Sequence, residues 1–509
     1  MKQENIEYKN QKYVKITEGK ATILIPEGNE VFYNPIQEFN RDMSIAAINT
    51  WRAIYAEEKR NDHKLQTRIL KGYTSQKTEE ITILEALAAS GLRSMRYAKE
   101  IDHVESILVN DFSEEAVRSI VRNAEYNSIP DTVIKANHGD AMDVLYNSRS
   151  PSKQFDVVDL DPYGSPSRFI DGAVQAVRNG GLLCITATDM SVLASNNNPD
   201  TAFMKYGSVT MRSNFCHEFA LRILLNYVQQ TAARYERYIV PLMSCSIDFY
   251  IRVFVRVFDS AEMAKKAVVN TALVLNCPGC SSFVSQPLGK KSPTRNGFKY
   301  SAITGPNLPS ECTFCGSRMV LGGPCYIGAI QNTEFASKMY SYVEENKNEF
   351  TTRKRMLGMI KVIEEEIDVP FHYTLSSLCS AVKANALPYI KLRSAILNSG
   401  YKVSSAHSCT ASIKTDAPPE LIWDIMRTYS NSIENKKEIP SDSIPAKILS
   451  VSPSHEVSFE THKDATPTSK KLKLVRYQVN PEKYWGPKSK HKTLKRKAED
   501  APQPETAAS

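Results

Sequence analysis

No stretch of the 509-residue chain holds the roughly 20 consecutive apolar residues that a membrane-crossing helix needs. No membrane association of that kind is expected. Residues 1–20 mix lysine with glutamate and lack an apolar block, so no secretory leader is expected either. Cysteine is scarce at ten residues, too few to build a disulfide scaffold. Four of the ten form two C-x-x-C pairs and six are scattered, which suits a reducing compartment and one metal site. There is no internal repeat, and nothing implies a stable protein partner. Excess positive charge is missing from most of the chain. Residues 470–497 hold eleven Lys or Arg and one acid, so a chain of net charge +8 leaves the remainder at −2. A basic end on a near-neutral body points to a polyanion partner, to a nuclear import signal, or to a solvated tail.

What is present is a globular composition, 42% hydrophobic and 24% charged, long enough for several domains. From Ile81 strands and helices alternate. Strands are expected at 81–87, 106–110, 133–136, 155–160 and 182–188. Helices are expected at 92–100, at 114–127 behind the N-cap Ser113, and at 166–178, stopping at Gly180 and Gly181. This alternation predicts one doubly wound parallel sheet. A long helix at 213–235 and two β-rich runs at 238–246 and 249–258 follow. They read as an antiparallel pair closing the sheet. The division expected is an N-terminal segment 1–80, with a helix at 43–59, that contributes to the site. A sheet domain 81–275, a metal-held insert 276–330 and a C-terminal domain 331–430 come next. Residues 431–509 are expected as linker and basic disordered tail.

The first strand-to-helix turn reads Glu85-Ala-Leu-Ala-Ala-Ser-Gly91-Leu-Arg93. Small residues let a backbone approach a ligand closely, and the absence of G-x-G-x-x-G argues against a pyrophosphate-bearing dinucleotide. Glu85 can reach such a ligand directly or through water. Asp111 ends the second strand, where a carboxylate accepts from both hydroxyls of a ribose. Asp140 lies past the third strand, placed to accept from an adenine amine. Each alone is an ordinary packing residue or helix cap; three in order at strand ends form a site.

The fourth strand ends in Asp159-Leu-Asp161-Pro-Tyr-Gly164. A D-P-x-G tetrapeptide is a common turn. At this place in the alternation it also supplies catalytic groups. Asp161 can accept a hydrogen bond from a weakly nucleophilic aromatic amine and take its proton during methyl transfer. The carbonyl of Pro162 is a second acceptor, and Tyr163 offers a face on which a base can stack. Cys277, Cys280, Cys312 and Cys315 form two C-x-x-C knuckles 31 residues apart, a four-thiolate set suited to structural Zn²⁺.

Several of these runs resemble the tRNA guanine-26 N2-dimethyltransferase family. They are Val31-Phe-Tyr-Asn-Pro35, Asn40-Arg-Asp42, Ala88-Ala-Ser-Gly-Leu-Arg93, Asp161-Pro-Tyr-Gly-Ser-Pro166, Thr186-Ala-Thr-Asp-Met190 and Ile413-Lys-Thr-Asp-Ala-Pro418. The likeness runs from about residue 15 to residue 428. It implies a Rossmann-like class I methyltransferase sheet with an antiparallel closing hairpin, a zinc-held insert and a small winged-helix-like C-terminal domain. Arg41, Arg93, Asp111, Asp140 and Ala141 would contact S-adenosylmethionine. Asp161 would be the catalytic acceptor, with Phe32 and Tyr163 sandwiching the guanine of a tRNA substrate. The family often carries Phe at the place of Tyr163. Position 26 lies inside a stacked hinge, so its base has to swing out. In the C-terminal unit, 371–428, the candidates to face phosphates are Lys383, Lys391, Arg393 and Lys402. The tail carries Tyr477, Tyr484 and Trp485 among lysines, which suits RNA. Residues 488–497 equally suit nuclear import. The location expected is the nucleus, with a mitochondrial pool left open. The alternatives are an exocyclic-amine methyltransferase for another substrate and a non-catalytic RNA-binding protein on the same scaffold.

Overall fold

The structure is a computed structural model that describes residues 4–26, 33–62, 79–295, 297–305, 308–433 and 439–477. Its centre is a seven-stranded sheet. The strands are β4 (Ile81–Glu85), β5 (Val104–Asp111), β6 (Ile134–His138), β7 (Phe155–Leu160), β8 (Val177–Ala187), β9 (Arg237–Ile247) and β10 (Tyr250–Asp259), in the order β6-β5-β4-β7-β8-β10-β9. β6 to β8 pair in parallel with their neighbours, while β10 pairs antiparallel with both β8 and β9. The antiparallel hairpin therefore closes a parallel sheet.

Apolar cores cover both faces. One face carries α1 (Glu38–Asn61), α2 (Leu92–Glu100) and α3 (Glu114–Tyr126). The other carries α4 (Ala141–Asn147), α5 (Ser167–Ala176) and α6 (Cys216–Ala233). β7 is buried almost throughout, and the runs of Val, Ile and Leu in β7 and β8 are what a strand covered on both sides requires. Ser113 caps α3 through its side chain. The helix expected to reach residue 178 ends at Ala176, and β8 begins at once. Val177 already pairs with Phe155, and Gly180 at φ +75° takes up the irregular register that follows.

An N-terminal antiparallel sheet was not expected. It consists of β1 (Glu4–Tyr8), β2 (Gln11–Glu18) and β3 (Ala21–Pro26). β3 lies against α3, whose Asn123 side chain accepts from the Leu24 N–H at 2.9 Å. Lys9 and Asn10 both sit at positive φ, the two-residue turn a tight hairpin demands.

The insert holds a three-stranded sheet, β11 (Thr271–Asn276), β12 (Phe283–Pro287) and β15 (Val320–Tyr326), and a separate hairpin of β13 (Gly289–Thr294) with β14 (Gly297–Ala302). Next come α7 (Thr333–Glu345) and α8 (Arg353–Glu365). These two helices were expected in the C-terminal domain. Instead their Phe335, Met339, Met356 and Ile360 belong to the core that α1 shares with the central sheet. The C-terminal unit sets β16 (Tyr373–Thr374), β17 (Val403–Ser404) and β18 (Ser412–Thr415) against α9 (Leu375–Ala381), α10 (Tyr389–Asn398) and α11 (Pro419–Asn431). The four insert cysteines lie in its apolar cluster, and the Trp423 indole N–H donates to Ser282 at 3.0 Å.

The expectation that everything past 430 is linker and tail fails for residues 439–477. That segment wraps the C-terminal unit and returns to α8. Asp424 accepts from the Ser454 and His455 backbone, Glu365 takes the Ser469 N–H, and the Tyr477 hydroxyl donates to the Ala406 carbonyl at 3.0 Å. Its polar side chains are used as caps and anchors, which is why it shows no core periodicity. Tyr484, Trp485 and Lys488 to Lys497 lie outside the described residues. No described helix is long and apolar enough to cross a membrane.

Candidate active site

The carboxyl ends of β4, β5 and β7 converge on one edge of the sheet, where loops must leave and side chains can meet a ligand. In the β4–α2 turn Ala89 and Gly91 both have positive φ, which curls the backbone N–H groups inward. Asp111 holds that curl, since its carboxylate accepts the Ala89 N–H at 2.8 Å and the Ser113 N–H at 2.9 Å. It is partly exposed and keeps lone pairs for a further donor such as a ribose hydroxyl. Beside it Phe112 is 80% exposed, an apolar face that sequence reasoning did not single out. Asp140 is exposed and caps α4 by accepting the Met142 N–H at 2.7 Å, with Ala141 buried behind it.

Beneath this cradle lies a dense charge cluster. Arg93 on α2 is 5% exposed and pairs with Asp161. It also donates to Ser44 at 3.1 Å and lies 3.7 Å from both Asp159 and Glu85. Arg252 on β10 is fully buried and grips both Asp159 oxygens at 2.9 and 2.8 Å and Thr186 at 2.8 Å. Tyr97 donates to Asp159 at 2.5 Å. Burial favours a protonated Asp159, but the Arg252 and Arg93 guanidiniums outweigh it and hold the pKa below the ordinary value. Asp159 therefore stays charged and fixes the cations that face Asp161. Asp159, Arg252, Tyr97 and Ser44 were not identified from sequence, because each is an ordinary residue until the strands are aligned.

Glu85 behaves differently. It is 3% exposed and accepts from the Ser94 hydroxyl. Burial pushes its pKa up to about 8, against the pull of Arg93 and Ser94. The folded chain thus binds a proton on Glu85 that the unfolded chain releases near its ordinary 4.5. Stability from this group is complete below that lower value and is lost as pH rises through about 8. In urea titrations without cofactor, the stability of Glu85→Gln should decline less between pH 5.5 and 8 than that of the wild type, by about 1–3 kcal/mol. Parallel declines would show that Glu85 ionises normally.

The loop after β7 completes the site. Asp161 is partly exposed, Pro162 is buried and Tyr163 is 54% exposed. Burial of the Tyr163 hydroxyl, reinforced by the neighbouring Asp161 and Asp111 carboxylates, raises its pKa above the usual phenol value. Gly164 turns the chain at φ +84°, its N–H bonded to the Thr188 hydroxyl at 2.8 Å and its carbonyl to the Thr188 N–H at 3.0 Å. That pair ties the Asp161 loop to the 186–190 run.

Arg41 stands further back. Its Nε and Nη2 are committed to Glu18 at 2.6 and 2.5 Å, and among the described residues Nη1 has no hydrogen-bond partner. Glu18 also pairs with the buried Arg96 at 2.8 Å, which reaches Asp42 at 2.7 Å. Phe32 lies outside the described residues. In the C-terminal unit Lys383, Lys391 and Lys402 are exposed. Arg393 is not available to phosphates: it is 4% exposed and donates to the Ala465 carbonyl at 2.6 Å and the Val403 carbonyl at 3.3 Å. The amphipathic position of α10 turns it inward, and the 439–477 segment supplies its acceptor.

Away from this edge, the Cys277, Cys280, Cys312 and Cys315 sulfurs are all buried and within 4.8 Å of one another. The two knuckles repeat one pattern: Ser281 N–H bonds to the Cys277 carbonyl at 2.9 Å and Gly316 N–H to the Cys312 carbonyl at 2.8 Å. Sulfurs on a tetrahedral zinc lie about 3.8 Å apart, from Zn–S bonds near 2.3 Å. The observed 3.4 Å for Cys277–Cys315 and 3.5 Å for Cys280–Cys312 fit that donor set. With four protein ligands the ion is structural. Purified chain should carry about one zinc, and Cys312→Ser well under half, by elemental analysis. Equal metal in both would place the ion elsewhere.

Comparison with known proteins shows what the chain is similar to. The family model for N2,N2-dimethylguanosine tRNA methyltransferase matches residues 11–427. A Mus musculus protein named tRNA (guanine(26)-N(2))-dimethyltransferase is 42% identical over 93% of this chain and 76% of its own length. A Saccharomyces cerevisiae protein of that name, designated mitochondrial, is 38% identical over 94% and 92% respectively. Among solved structures, Trm1 from Pyrococcus horikoshii in complex with S-adenosyl-L-methionine superposes with a TM-score of 0.64. It is 27% identical and covers 80% of this chain and 98% of its own.

Proposed function

We infer the activity from one premise: the chain belongs to the N2,N2-dimethylguanosine tRNA methyltransferase family. It transfers methyl groups from S-adenosylmethionine to the exocyclic N2 of guanine 26 in tRNA, giving N2,N2-dimethylguanosine. The observation that carries the residue-level reading is the Asp161 carboxylate. It stands just past the end of β7, paired with the buried Arg93 and two residues before the half-exposed Tyr163.

S-adenosylmethionine supplies the methyl group as an electrophile. The residues do the rest. Ala89, Asp111, Phe112, Asp140 and Ala141 receive the adenosine half, and Arg93 with Arg41 faces the charged half. Tyr163 stacks on the displaced guanine, and the family resemblance assigns Phe32 to its other face. Asp161 and the Pro162 carbonyl accept the two N2–H bonds, which aligns the nitrogen lone pair. As nitrogen gains carbon it loses a proton to Asp161, which passes it to water before the second round. The Asp159–Arg252 pair keeps this arrangement rigid, because a charged donor that cannot relax away holds its partner in place.

Lys383, Lys391 and Lys402 are proposed to meet tRNA phosphates on the winged-helix-like unit. The basic tail suits nuclear import, and the mitochondrial yeast relative supports a second pool there.

Labelled S-adenosylmethionine with unmodified tRNA tests the reading. Label should enter tRNA carrying guanine 26 and not tRNA with adenine there. Equal label in both would move the site, and none in either would remove the activity.

A further inference from the structure

The insert hairpin β13–β14 is unlike the rest of the body. From Met263 to Ser310 the chain has no acidic residue, in a protein with 56 elsewhere. Within that stretch the hairpin carries Lys290, Lys291, Arg295 and Lys299, all exposed. Among the described residues none of the four is in an ion pair, whereas the exposed lysines at 9, 20 and 338 each hold a glutamate. Phe298 is 56% exposed, with the Lys291 ammonium 3.5 Å from its ring centroid. Among the described residues the hairpin pairs only with itself, Gly289 with Ala302 through Thr294 with Gly297. At its root Gly289 is packed so tightly on Val268 that a Cβ there would come within 2.7 Å. A two-stranded ribbon firmly based at one end, with cations along its length and an aromatic near its tip, buries little of its own.

We propose that β13–β14 is a second RNA-binding element, an arm that grips the phosphate backbone of the tRNA away from the methylated base. This rests on the tRNA reading above. Unpaired cations on one ribbon match a polyanion, because neutralising phosphates releases condensed counterions. The Phe298 face, under a cation, suits an unstacked base or a ribose. The hairpin is reached through β12 from the zinc knuckles, so the metal that orders the insert also fixes the arm's base. The competing explanation is that lysines guard an exposed edge strand against aggregation. That role requires charge but no particular ligand.

The test replaces Lys290, Lys291, Arg295 and Lys299 by Gln in the full chain. The KM for full-length tRNA should rise at least tenfold at about 0.15 M salt, and kcat should change less than twofold. The plot of log affinity against log salt should lose about two to four units of slope. Zinc content and Tm should match the wild type, because the four side chains are exposed and the contacts given for them, Lys290 with Thr304 and Lys291 with Phe298, are local to the arm. A stem-loop covering only the region around guanine 26 should be methylated equally well by both proteins. An unchanged KM and salt slope would overturn the proposal, and if the variant also aggregates, edge protection explains the charges. If the wild type fails to methylate tRNA at all, the activity has failed rather than the arm.

Discussion

Asp161→Ala lowers the single-turnover rate of methyl transfer by about 10²–10⁴-fold, the range lost when a positioned proton acceptor is removed. The cofactor dissociation constant should change by no more than about threefold, since the adenosine cradle is built from Ala89, Asp111 and Asp140. Asp161→Asn separates alignment from proton transfer. Its amide oxygen still accepts from Arg93 and from the guanine amine but takes no proton, so its rate should fall between the wild type and Ala. Arg93 remains held by Ser44 and by nearby Asp159 and Glu85 in both variants, so neither should unfold. Isothermal titration with the cofactor and rapid-quench methylation read the two quantities separately. Loss of cofactor binding without a rate defect at saturation would assign Asp161 to the cofactor instead.

Lys414→Met should destabilise the chain by about 3–5 kcal/mol at pH 7, the usual result of stripping one partner from a buried ion pair. Lys414 is 1% exposed and bridges two buried carboxylates, Glu218 of α6 at 3.1 Å and Glu366 beyond α8 at 2.8 Å. Glu218 keeps Arg222 at 2.9 Å and His372 at 3.2 Å, but Glu366 keeps only His407 at 2.7 Å among the described ion pairs. Against the cost of burial, Lys414 and His407 hold the Glu366 pKa down to about 2. A depressed carboxylate stabilises the fold above its unfolded pKa and loses that contribution as pH falls toward the folded value. The penalty of Lys414→Met should therefore be larger at pH 7 than at pH 4.5, where an unpaired Glu366 takes a proton. Glu366→Gln added to Lys414→Met should recover part of the loss. An unfolding free energy from urea titration within about 0.5 kcal/mol of the wild type would mean the bridge contributes nothing.

The same residue shows what sequence reading reaches and what it misses. The run Ile413-Lys-Thr-Asp-Ala-Pro418 was legible as a likeness, yet nothing in it shows that its lysine is a buried bolt between the C-terminal unit and α6. Partners 196 and 48 residues away supply the reason. Arg393 failed similarly: a basic residue on a short helix reads as surface until a polar strap brings a carbonyl to it. The cofactor turn, Asp111, Asp140 and the Asp161 loop were legible because strand ends in an alternating α/β pattern must meet at one edge. The cysteine knuckles were legible because metal ligation fixes spacing. Asp159 and Arg252 were not, because their pairing depends on β7, β8 and β10 lying side by side. The packing of α7 and α8 was not either, because an amphipathic face does not name the surface it will cover.

The central claim is that the reacting atom is the guanine N2 held at Asp161, and one substrate isolates that atom. In tRNA with hypoxanthine at position 26, the base keeps its rings and stacking surface and lacks only the exocyclic amine. It should compete with normal tRNA at an inhibition constant within about threefold of the normal KM and accept no labelled methyl group, while normal tRNA yields N2,N2-dimethylguanosine on digestion. Methyl incorporation into the hypoxanthine tRNA at the normal rate would contradict the account, because the group would then be going to some other atom.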